Sequence, residues 1–315
     1  MPQSYPPLPE NIQSVQPGGG FCYQLELCWG TFRRWYLKTF RQGYVQRMAE
    51  LRRGDTSGAP HEILDPRDLK YCSNLCTAHW AKEDDGFAWR ESIPFARWGL
   101  AELQIMGWPL VLLMILALTG GGVWRWLAIL PAILLGLIVY FFRDPKREIP
   151  QSANAIVSPA DGTIAEVTEL EHYDFFNGPA IRVGIFLSIF NVHVNRSPRA
   201  ARILEMHYKP GEFLNAMNPE SALRNEYMWI GMEEFVETEN ASHRKFAVRA
   251  ISGLIARRIV CVLKPGDTLQ RGEKFGMIKL GSRTELILPR DEVLVEVEVG
   301  QKVQAGSTVL ARYTD

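Results

Sequence analysis

The sequence predicts a mostly β domain preceded by an N-terminal helical hairpin of membrane type. Two observations support this fold class. Residues 105–142 are almost uninterruptedly apolar apart from three consecutive glycines, and after Pro150 short β-rich segments such as 181–187 and 245–251 are separated by Gly, Pro and Asn. The chain has 315 residues, of which 47% are hydrophobic, so one large or two modest domains can be built.

Composition limits the partners and the compartment. The formal net charge is +0, so composition gives no argument for a nucleic-acid partner. The five cysteines are an odd number scattered along the chain, which argues against a secreted disulfide framework and for reducing conditions. The Pro- and Gln-rich start contains no apolar segment of signal-peptide type, so no cleavable signal peptide is expected.

The region before the apolar stretch divides into a leader and an extension. Residues 1–20 are predicted to be a disordered leader, because the PPLPE and QPGGG segments hold few residues that can enter a core. Residues 21–100 are predicted to be a helical extension in which apolar residues recur at steps of three or four from Leu25 to Leu51. The other face of that helix is basic. Two interpretations stay open: the helix lies aromatic side down on an anionic membrane, or it packs on the protein with a solvated charged face.

Within the extension, Cys72, Cys76 and His79 have the spacing of one helix face. Three potential ligands without a nearby fourth are weak support for a metal site. The pattern therefore favours small buried cysteines beside a histidine, and no metal is expected.

Residues 101–145 are predicted to be a membrane-anchoring hairpin. Its two arms, 105–119 and 124–142, are at or just below the length of about 20 residues that crosses a bilayer as a helix, so two short spans and a re-entrant hairpin both fit. Aromatic residues typical of membrane interfaces lie at the ends of the arms: Trp108, Trp124, Trp126, Tyr140, Phe141 and Phe142. The alternative is a hairpin buried in a soluble core.

Basic residues flank the hairpin on both sides. Arg90 and Arg97 precede it, three more follow it between residues 143 and 147, and Arg125 alone lies in the connecting turn. By the positive-inside rule both flanks are cytoplasmic. We therefore expect a protein of the cell membrane whose β domain, residues 146–315, faces the cytoplasm.

A repeat near the C-terminus refines the fold expected for the β domain. Glycines six residues apart bracket an apolar residue at the same offset in two segments: Gly266, Leu269 and Gly272, then Gly300, Val303 and Gly306. Such hairpins resemble those of biotinyl and lipoyl carrier domains. They predict a barrel-sandwich arrangement.

The dipeptide Gly281-Ser282 interrupts an apolar run. A glycine on the acyl side leaves its carbonyl unshielded and lets the backbone adopt the unusual geometry needed for attack by the serine Oγ. Gly-Ser pairs usually mark ordinary turns, so the rest of the chain must decide whether this one carries chemistry.

Four further segments accompany Gly281-Ser282: FFRDP at 141–145, VSPADGTI at 157–164, IFLSIFNVHVNRSP at 185–198 and ISGLIARRIV at 251–260. Together and in this order they resemble the short-form phosphatidylserine decarboxylase family, pyruvoyl enzymes that are made as self-cleaving proenzymes. The resemblance covers roughly residues 100–315. It does not reach residues 1–90, whose role the family does not supply.

The resemblance implies a cofactor made from the chain itself. The serine matching Ser282 attacks the carbonyl of the residue matching Gly281. Elimination then leaves a pyruvoyl group on a chain comprising residues 282–315. This chain stays associated with residues 1–281. The pyruvoyl group forms a Schiff base with the amine of phosphatidylserine and accepts the electrons released with carbon dioxide, giving phosphatidylethanolamine. The phospholipid and the membrane are thus the expected partners, and an oligomer is possible.

The resemblance also assigns proton-handling residues. Asp161 matches an aspartate that longer relatives use in self-cleavage, although an ordinary turn aspartate is the alternative. His193 matches a histidine suited to carry a proton near neutral pH, although a core histidine is the alternative. Longer relatives have a second histidine where this chain has Arg196. Either His193 serves both steps, or His207 or His243 substitutes, or short forms are processed differently.

Two arginines are candidates for substrate binding. Arg283 stands where longer relatives have threonine. It either pairs with the phosphate or carboxylate of the substrate or is an ordinary surface arginine. Arg196 is the second candidate.

Two other functions remain as alternatives. A biotinyl or lipoyl carrier module would need a modifiable lysine at a hairpin tip, a setting that Lys264, Lys279 and Lys302 lack; a processing-dead membrane scaffold would keep the fold without the chemistry.

Overall fold

The computed structural model describes residues 5–16, 20–215, 218, 220–235, 244–254, 258–279 and 281–314. Within these ranges the helices are α1 (Gly20–Phe40), α2 (Gln42–Leu51), α3 (Leu100–Thr119), α4 (Ile129–Phe141) and α5 (Ser221–Arg224). Short 3-10 turns lie at Pro66–Leu69, Ala88–Glu91, Arg97–Gly99, Gly122–Ala128 and Arg290–Glu292. The strands are β1 (Ala155–Val157), β2 (Gly162–Tyr173), β3 (Gly178–Leu187), β4 (Val194–Arg196), β5 (Ala201–Lys209), β6 (Tyr227–Glu234), β7 (Lys245–Ser252), β8 (Ile259–Cys261), β9 (Thr268–Leu269), β10 (Lys274–Ile278), β11 (Ser282–Pro289), β12 (Val293–Val295), β13 (Lys302–Val303) and β14 (Val309–Tyr313).

The described strands form three antiparallel sheets, which confirms a sheet-rich domain after a helical N-terminal region. The sheets have the orders β1-β14-β12, β4-β10-β8 and β13-β2-β3-β11-β7-β6-β5-β9. β11 is central in the largest sheet and is paired with β3 and β7 along its length. Because successive side chains of a strand point to opposite faces, Leu286 and Leu288 enter the main core while Ile287 packs with Trp229 on the other face.

The glycine repeat seen in the sequence recurs in the backbone. All four glycines have φ between 77° and 93°, the left-handed region that glycine enters without a steric penalty: Gly266, Gly272, Gly300 and Gly306. The amide of Gly272 donates to the Ser197 carbonyl and the amide of Gly306 donates to the Ser158 carbonyl, both at 2.8 Å. The two hairpins are therefore held by equivalent bonds.

The two Ser-Pro turns that accept these bonds also pair with each other. The amide of Val157 donates to the Pro198 carbonyl at 3.1 Å, and the amide of Arg196 donates to the Pro159 carbonyl at 2.9 Å. This reciprocal pairing gives the region an approximate internal twofold relation, which fixes the segment that carries Asp161 beside the segment that carries His193.

Residues 5–16 differ from the disordered leader predicted for residues 1–20. Ile12 and Val15 are buried, Ile12 in the main core. The backbone continues the sheet of β8: the amide of Gln16 donates to the Ile259 carbonyl at 2.9 Å. The prediction relied on average composition and overlooked two apolar side chains three residues apart. Residues 1–4 and 17–19 lie outside the described residues.

The extension is helical in its first half. The stripe from Leu25 to Leu51 is divided between α1 and α2 at Arg41, whose φ and ψ of −131° and 39° are not helical. Residues 52–99 consist of turns and short 3-10 segments around a small apolar cluster. Cys72 and Cys76 are buried in that cluster, which confirms the interpretation of small buried cysteines, but their segment is a turn and His79 is exposed.

The structure contradicts the interpretation in which the charged face of α1 is solvated, and the interpretation in which its aromatic side lies on a membrane stays a prediction. Its basic side packs on the protein, where Arg33 and Arg34 pair with buried Asp68. Its aromatic side is exposed, and five of its large side chains are more than half accessible: Phe21, Trp29, Phe32, Trp35 and Phe40. The charged face is therefore the packed one, and the aromatic face is left without a partner in the described part of the chain.

Two apolar helices form the predicted hairpin. Segments Arg97–Thr119 and Gly122–Phe141 are each long and apolar enough to cross a membrane, and 11% of an 18-residue apolar stretch within each is buried in the protein. This low burial does not match the alternative of a hairpin inside a soluble core. At the end of α4, Phe141 and Phe142 pack into an apolar cluster with Val192 and Val194, so the hairpin reaches the segment around His193.

Candidate active site

The Gly281-Ser282 bond lies at the point where a short loop from β10 enters β11. Gly281 has φ of 73°, and a Cβ placed on it would meet no atom within 4 Å. The backbone angle, not crowding, is therefore what favours glycine here. Leu280, immediately before it, lies outside the described residues.

Ser282 is the first residue of β11 and is fully buried between Leu187 of β3 and Ser252 of β7. Its Oγ has no hydrogen-bond partner within the described residues. Buried hydroxyls normally have a partner, so this one requires an explanation. Among the described residues, the Oγ that follows this left-handed glycine is therefore not held by any partner.

His193 is the histidine beside this bond. It is fully buried; Nδ1 lies 2.9 Å from the Asn191 carbonyl oxygen and Nε2 lies 3.2 Å from the Gly281 amide nitrogen. Because the carbonyl accepts and the amide donates, the hydrogen-bond network assigns the proton to Nδ1 and the lone pair to Nε2. Burial lowers the pKa of His193 to about 4, so the ring is neutral, and it stacks on Phe141 with ring centroids 4.6 Å apart.

Asp161 is engaged elsewhere. Its two carboxylate oxygens each accept from Arg147 at 2.9 Å, and Oδ1 also accepts from the Ala305 amide at 2.8 Å. Among the described residues, neither His193 nor Ser282 is a hydrogen-bond partner of this carboxylate. The structure thus gives Asp161 a place in organising the C-terminal hairpin, and its role in self-cleavage stays a prediction.

The two arginines predicted to bind substrate are both committed to structural bonds. Arg196 is buried and donates to the Gly272 carbonyl at 3.0 Å and to Asp144 at 2.7 Å, which joins the FRDP motif to the glycine repeat. Its guanidinium therefore holds the fold together at the position where longer relatives have a histidine.

Arg283 lies on the opposite face of β11 from Ser282, because adjacent strand residues point to opposite sides. It is 4% exposed and pairs with Glu285 at 2.9 Å and with Glu166 at 2.5 Å. The side chain is therefore buried in an ion-pair cluster behind the strand and is not a surface arginine; a role in substrate binding stays a prediction.

The two substitute histidines are not found at the site. His207 of β5 has a side chain 61% exposed and stacks on Trp229, which belongs to the apolar cluster on the face of the sheet away from Ser282. His243 lies outside the described residues. In the described part of the chain, His193 is therefore the histidine in contact with the Gly281-Ser282 segment.

Sequence reasoning missed a charged cluster that connects the hairpin to the loop before Ser282. Lys279 is buried and donates to the Trp98 carbonyl at 2.8 Å and to Glu102, and Arg258 pairs with the same carboxylate. Burial lowers the pKa of Lys279 to about 7 despite the nearby Glu102 carboxylate. The available signal was the single acid at the start of an apolar helix, because such a residue is costly unless it is paired; the sequence analysis did not use it.

A second missed residue is Glu226, the residue before β6. It is 2% exposed, and one of its carboxylate oxygens, Oε1, has no hydrogen-bond partner within the described residues. The sequence offered little signal for it, because its proximity to Ser282 arises only from the pairing of three strands.

At the head of a central strand, a glycine in the left-handed region precedes a buried serine, and a neutral histidine lies beside this pair. The profile of the family described as "Phosphatidylserine decarboxylase" matches residues 134–311, and the chain belongs to this family. The resemblance inferred from the five motifs is thereby confirmed. Membership also favours decarboxylation over the carrier-module alternative.

Individual relatives match over nearly their whole length. The chain is 48% identical over 246 residues to a "Phosphatidylserine decarboxylase proenzyme" of Rhodopirellula baltica, covering 78% of this chain and 99% of that protein. It is 42% identical over 205 residues to a protein of the same name from Carboxydothermus hydrogenoformans, covering 65% of this chain and 93% of that protein. The portion of the chain without a counterpart in these relatives is accordingly substantial.

Proposed function

We propose that this protein decarboxylates phosphatidylserine to phosphatidylethanolamine with a pyruvoyl group generated from its own Ser282. The observation that carries the proposal is the buried Oγ of Ser282, which has no partner in the described residues and follows a glycine with φ of 73°. Family membership supports the same reaction, because the relatives named above are decarboxylase proenzymes.

Self-cleavage starts with attack of the Ser282 Oγ on the Gly281 carbonyl. His193 holds the Gly281 amide through Nε2, which fixes the carbonyl on the far side of the same residue. The ring is neutral, and Nε2 is the proposed acceptor of the Oγ proton once it releases the Gly281 amide, which belongs to the peptide bond before the scissile one. Asp161 is proposed to support this step by ordering the hairpin around Ala305.

The two products of cleavage are expected to stay together. The smaller chain would begin with β11, which is hydrogen-bonded on one side to β3 and on the other to β7. Leu286 and Leu288 of that strand are fully buried in the main core. Separating the chains would expose this surface and break both ladders, so association is strongly favoured.

A pyruvoyl group at position 282 would supply an electrophilic carbonyl for the substrate amine and an electron sink for the loss of carbon dioxide. The residues around this position fit such a group: the site is shielded from water and His193 adjoins it. His193 is the proposed carrier of the proton that replaces the carboxylate. Cleavage leaves the Gly281 amide in place, so Nε2 takes part after it gives up that hydrogen bond.

We further propose that α3 and α4 anchor the protein in the cell membrane with the β domain on the cytoplasmic side. The low burial of both helices and the basic residues on both flanks support this placement. The exposed aromatic face of α1 is suited to the membrane interface, where Trp and Tyr are enriched. The packing of Phe141 on His193 then places the site close to the lipid surface.

The twofold relation between the glycine hairpins supports a barrel-sandwich description of the β domain. Equivalent amides of Gly272 and Gly306 bond to equivalent carbonyls of Ser197 and Ser158. We propose that this pair of hairpins is the element shared with biotinyl and lipoyl domains, used here to brace the Asp161 segment.

The activity is tested with phosphatidylserine labelled in the serine carboxyl group, by measuring labelled carbon dioxide. The unaltered protein is expected to release it, and Ser282→Ala is expected to be uncleaved and inactive. Ser152→Ala, at an exposed position, is the control and should behave like the parent protein. An unaltered protein that stays uncut and inactive would instead support the processing-dead scaffold.

Orientation is tested in membrane vesicles of known sidedness. Protease added to inside-out vesicles is expected to digest residues 150–315, whereas protease added to right-side-out vesicles is expected to spare them. Digestion in right-side-out vesicles would reverse the proposed orientation.

A further inference from the structure

Glu226 and Ser282 lie in one row across the largest sheet. Ser282 is paired with Ser252, and the next strand continues the row, since Tyr227 is paired with Ile251. The Ser252 amide donates to the Glu226 carbonyl at 2.9 Å, which extends that register by one residue. Residues in one row of an antiparallel sheet point to the same face, so the side chains of Glu226 and Ser282 share a face.

The spacing within the row is short enough for a common substrate. Neighbouring strands lie about 4.8 Å apart, so two steps place the Cα atoms of Glu226 and Ser282 about 10 Å from each other. Both side chains project from the face that also carries Met228, Ala250 and Thr284. A small headgroup bound at position 282 therefore lies within the span between the two residues.

Within the described residues, the Glu226 carboxyl group lacks the ion-pair partner that buried acids usually have. Oε1 has no hydrogen-bond partner in the described residues, and the hydroxyl of Tyr208 is the side chain bonded to the group. No ion pair joins Glu226 to a Lys, Arg or His of the described residues. Since buried acids are almost always paired, this one is suited to receive a cation from a ligand.

Three other buried acids of the described residues are already paired with cations. Asp161 is paired with Arg147, and Glu102 is paired with Lys279 and Arg258. Glu285 lies on the opposite face of β11 and pairs with Arg249 at 2.7 Å. Among these described acids, Glu226 is the one that both faces the Ser282 side of the sheet and has a free oxygen.

We propose that Glu226 binds the ammonium group of the substrate and takes one proton from it, so that the neutral amine meets the carbonyl carbon at position 282. The inference rests on the proposed function. The N–H bond breaks with its electron pair remaining on nitrogen, and the proton forms an O–H bond on Oε1. The product amine takes the same proton back when it leaves, so Glu226 is restored as a carboxylate.

The ionisation of Glu226 suits this role. Burial raises the pKa of Glu226 to about 7, with Tyr208 hydrogen-bonded to the carboxylate opposing the shift. A carboxylate with this pKa is a better proton acceptor than an ordinary glutamate at neutral pH.

The test compares two amine nucleophiles on the cleaved enzyme. Hydroxylamine is uncharged near neutral pH and needs neither ammonium binding nor deprotonation, whereas phosphatidylserine in mixed micelles needs both. Covalent labelling of the small chain by each of the two amines is followed by intact mass. Cyanoborohydride is present in the phospholipid reaction to reduce the Schiff base to a stable amine. Glu226→Gln keeps the shape of the side chain, and Glu205→Gln on β5 is the matched control.

For Glu226→Gln we expect normal self-cleavage, hydroxylamine labelling within twofold of the parent rate, and phosphatidylserine labelling slowed about 100-fold, a typical effect of removing a positioned base. Glu226→Asp should recover part of that rate. The inference would be overturned if phosphatidylserine labelled the parent and Glu226→Gln at equal rates. It would also be overturned if the Asp and Gln variants were labelled equally slowly, or if both variants failed to cleave. A parent small chain that hydroxylamine does not label would instead count against the pyruvoyl group itself.

Discussion

Lowering the pH from 7 to 5 is expected to destabilise the uncut protein through His193. The ring is fully buried and hydrogen-bonded to the Asn191 carbonyl and the Gly281 amide, and burial lowers its pKa from 6.5 to about 4. Above pH 6.5 both the folded and the unfolded chain carry a neutral imidazole, so His193 has no pH-dependent effect there.

Between pH 6.5 and pH 4 the unfolded chain binds a proton that the folded chain does not bind. The depressed pKa therefore lowers the free energy of unfolding as the pH falls, and the loss is complete below about pH 4. At pH 5 the unfolded imidazole is almost fully protonated and the folded one is about one-tenth protonated. The difference amounts to about 2 kcal/mol.

The assay uses Ser282→Ala, which keeps one continuous chain, with and without His193→Gln. Thermal unfolding in detergent is followed by tryptophan fluorescence at pH 7 and pH 5 at a fixed scan rate. From pH 7 to pH 5, the protein with His193 is expected to lose about 4–8 °C more in Tm than the Gln variant. Because other groups titrate in both proteins, the difference isolates His193, and equal losses in the two proteins would refute the burial of the neutral ring and its lowered pKa.

Three further predictions follow from the contacts of the site. Asp161→Asn should accumulate uncut protein on denaturing gels, because it weakens the buried pair with Arg147 and the support of Ala305; normal cleavage would remove Asp161 from the processing step. Arg283→Gln should lower Tm and leave KM for phosphatidylserine unchanged, since the guanidinium is paired with Glu285 on the far face; a raised KM at unchanged Tm would restore a substrate-binding role. Deleting residues 105–137, which retains the helix ends that pack on the β domain, should move the protein to the soluble fraction; persistence in the membrane would assign anchoring to α1 instead.

Local sequence patterns were sufficient for the elements whose signals lie within a short stretch of chain. The apolar arms predicted the two helices of the hairpin, and short β-rich segments separated by Gly, Pro and Asn predicted the β domain. The Gly281-Ser282 pair could be found because its two residues are adjacent in sequence. Glycine also enters the left-handed region without a steric penalty, and Gly281 adopts that conformation.

Features that depend on strand register could not be read from the sequence. Arg283 adjoins Ser282 in sequence yet points to the opposite face of the sheet, whereas Glu226 is distant in sequence yet shares its row. The face of α1 was also ambiguous, since a pattern of aromatic and basic residues does not show which side meets the protein. Asp68 pairs with the basic side of α1 but is remote from it in sequence. The face of α1 that packs on the protein is therefore evident only in the folded chain.

The most direct test of the central claim is the intact mass of the purified active protein. Self-cleavage at Ser282 predicts two chains, the smaller comprising residues 282–315, 34 residues in length, with an N-terminus blocked by a pyruvoyl group. Ser282→Ala should give a single uncleaved chain without activity. An active preparation that contains only the intact 35.8 kDa chain would contradict the account.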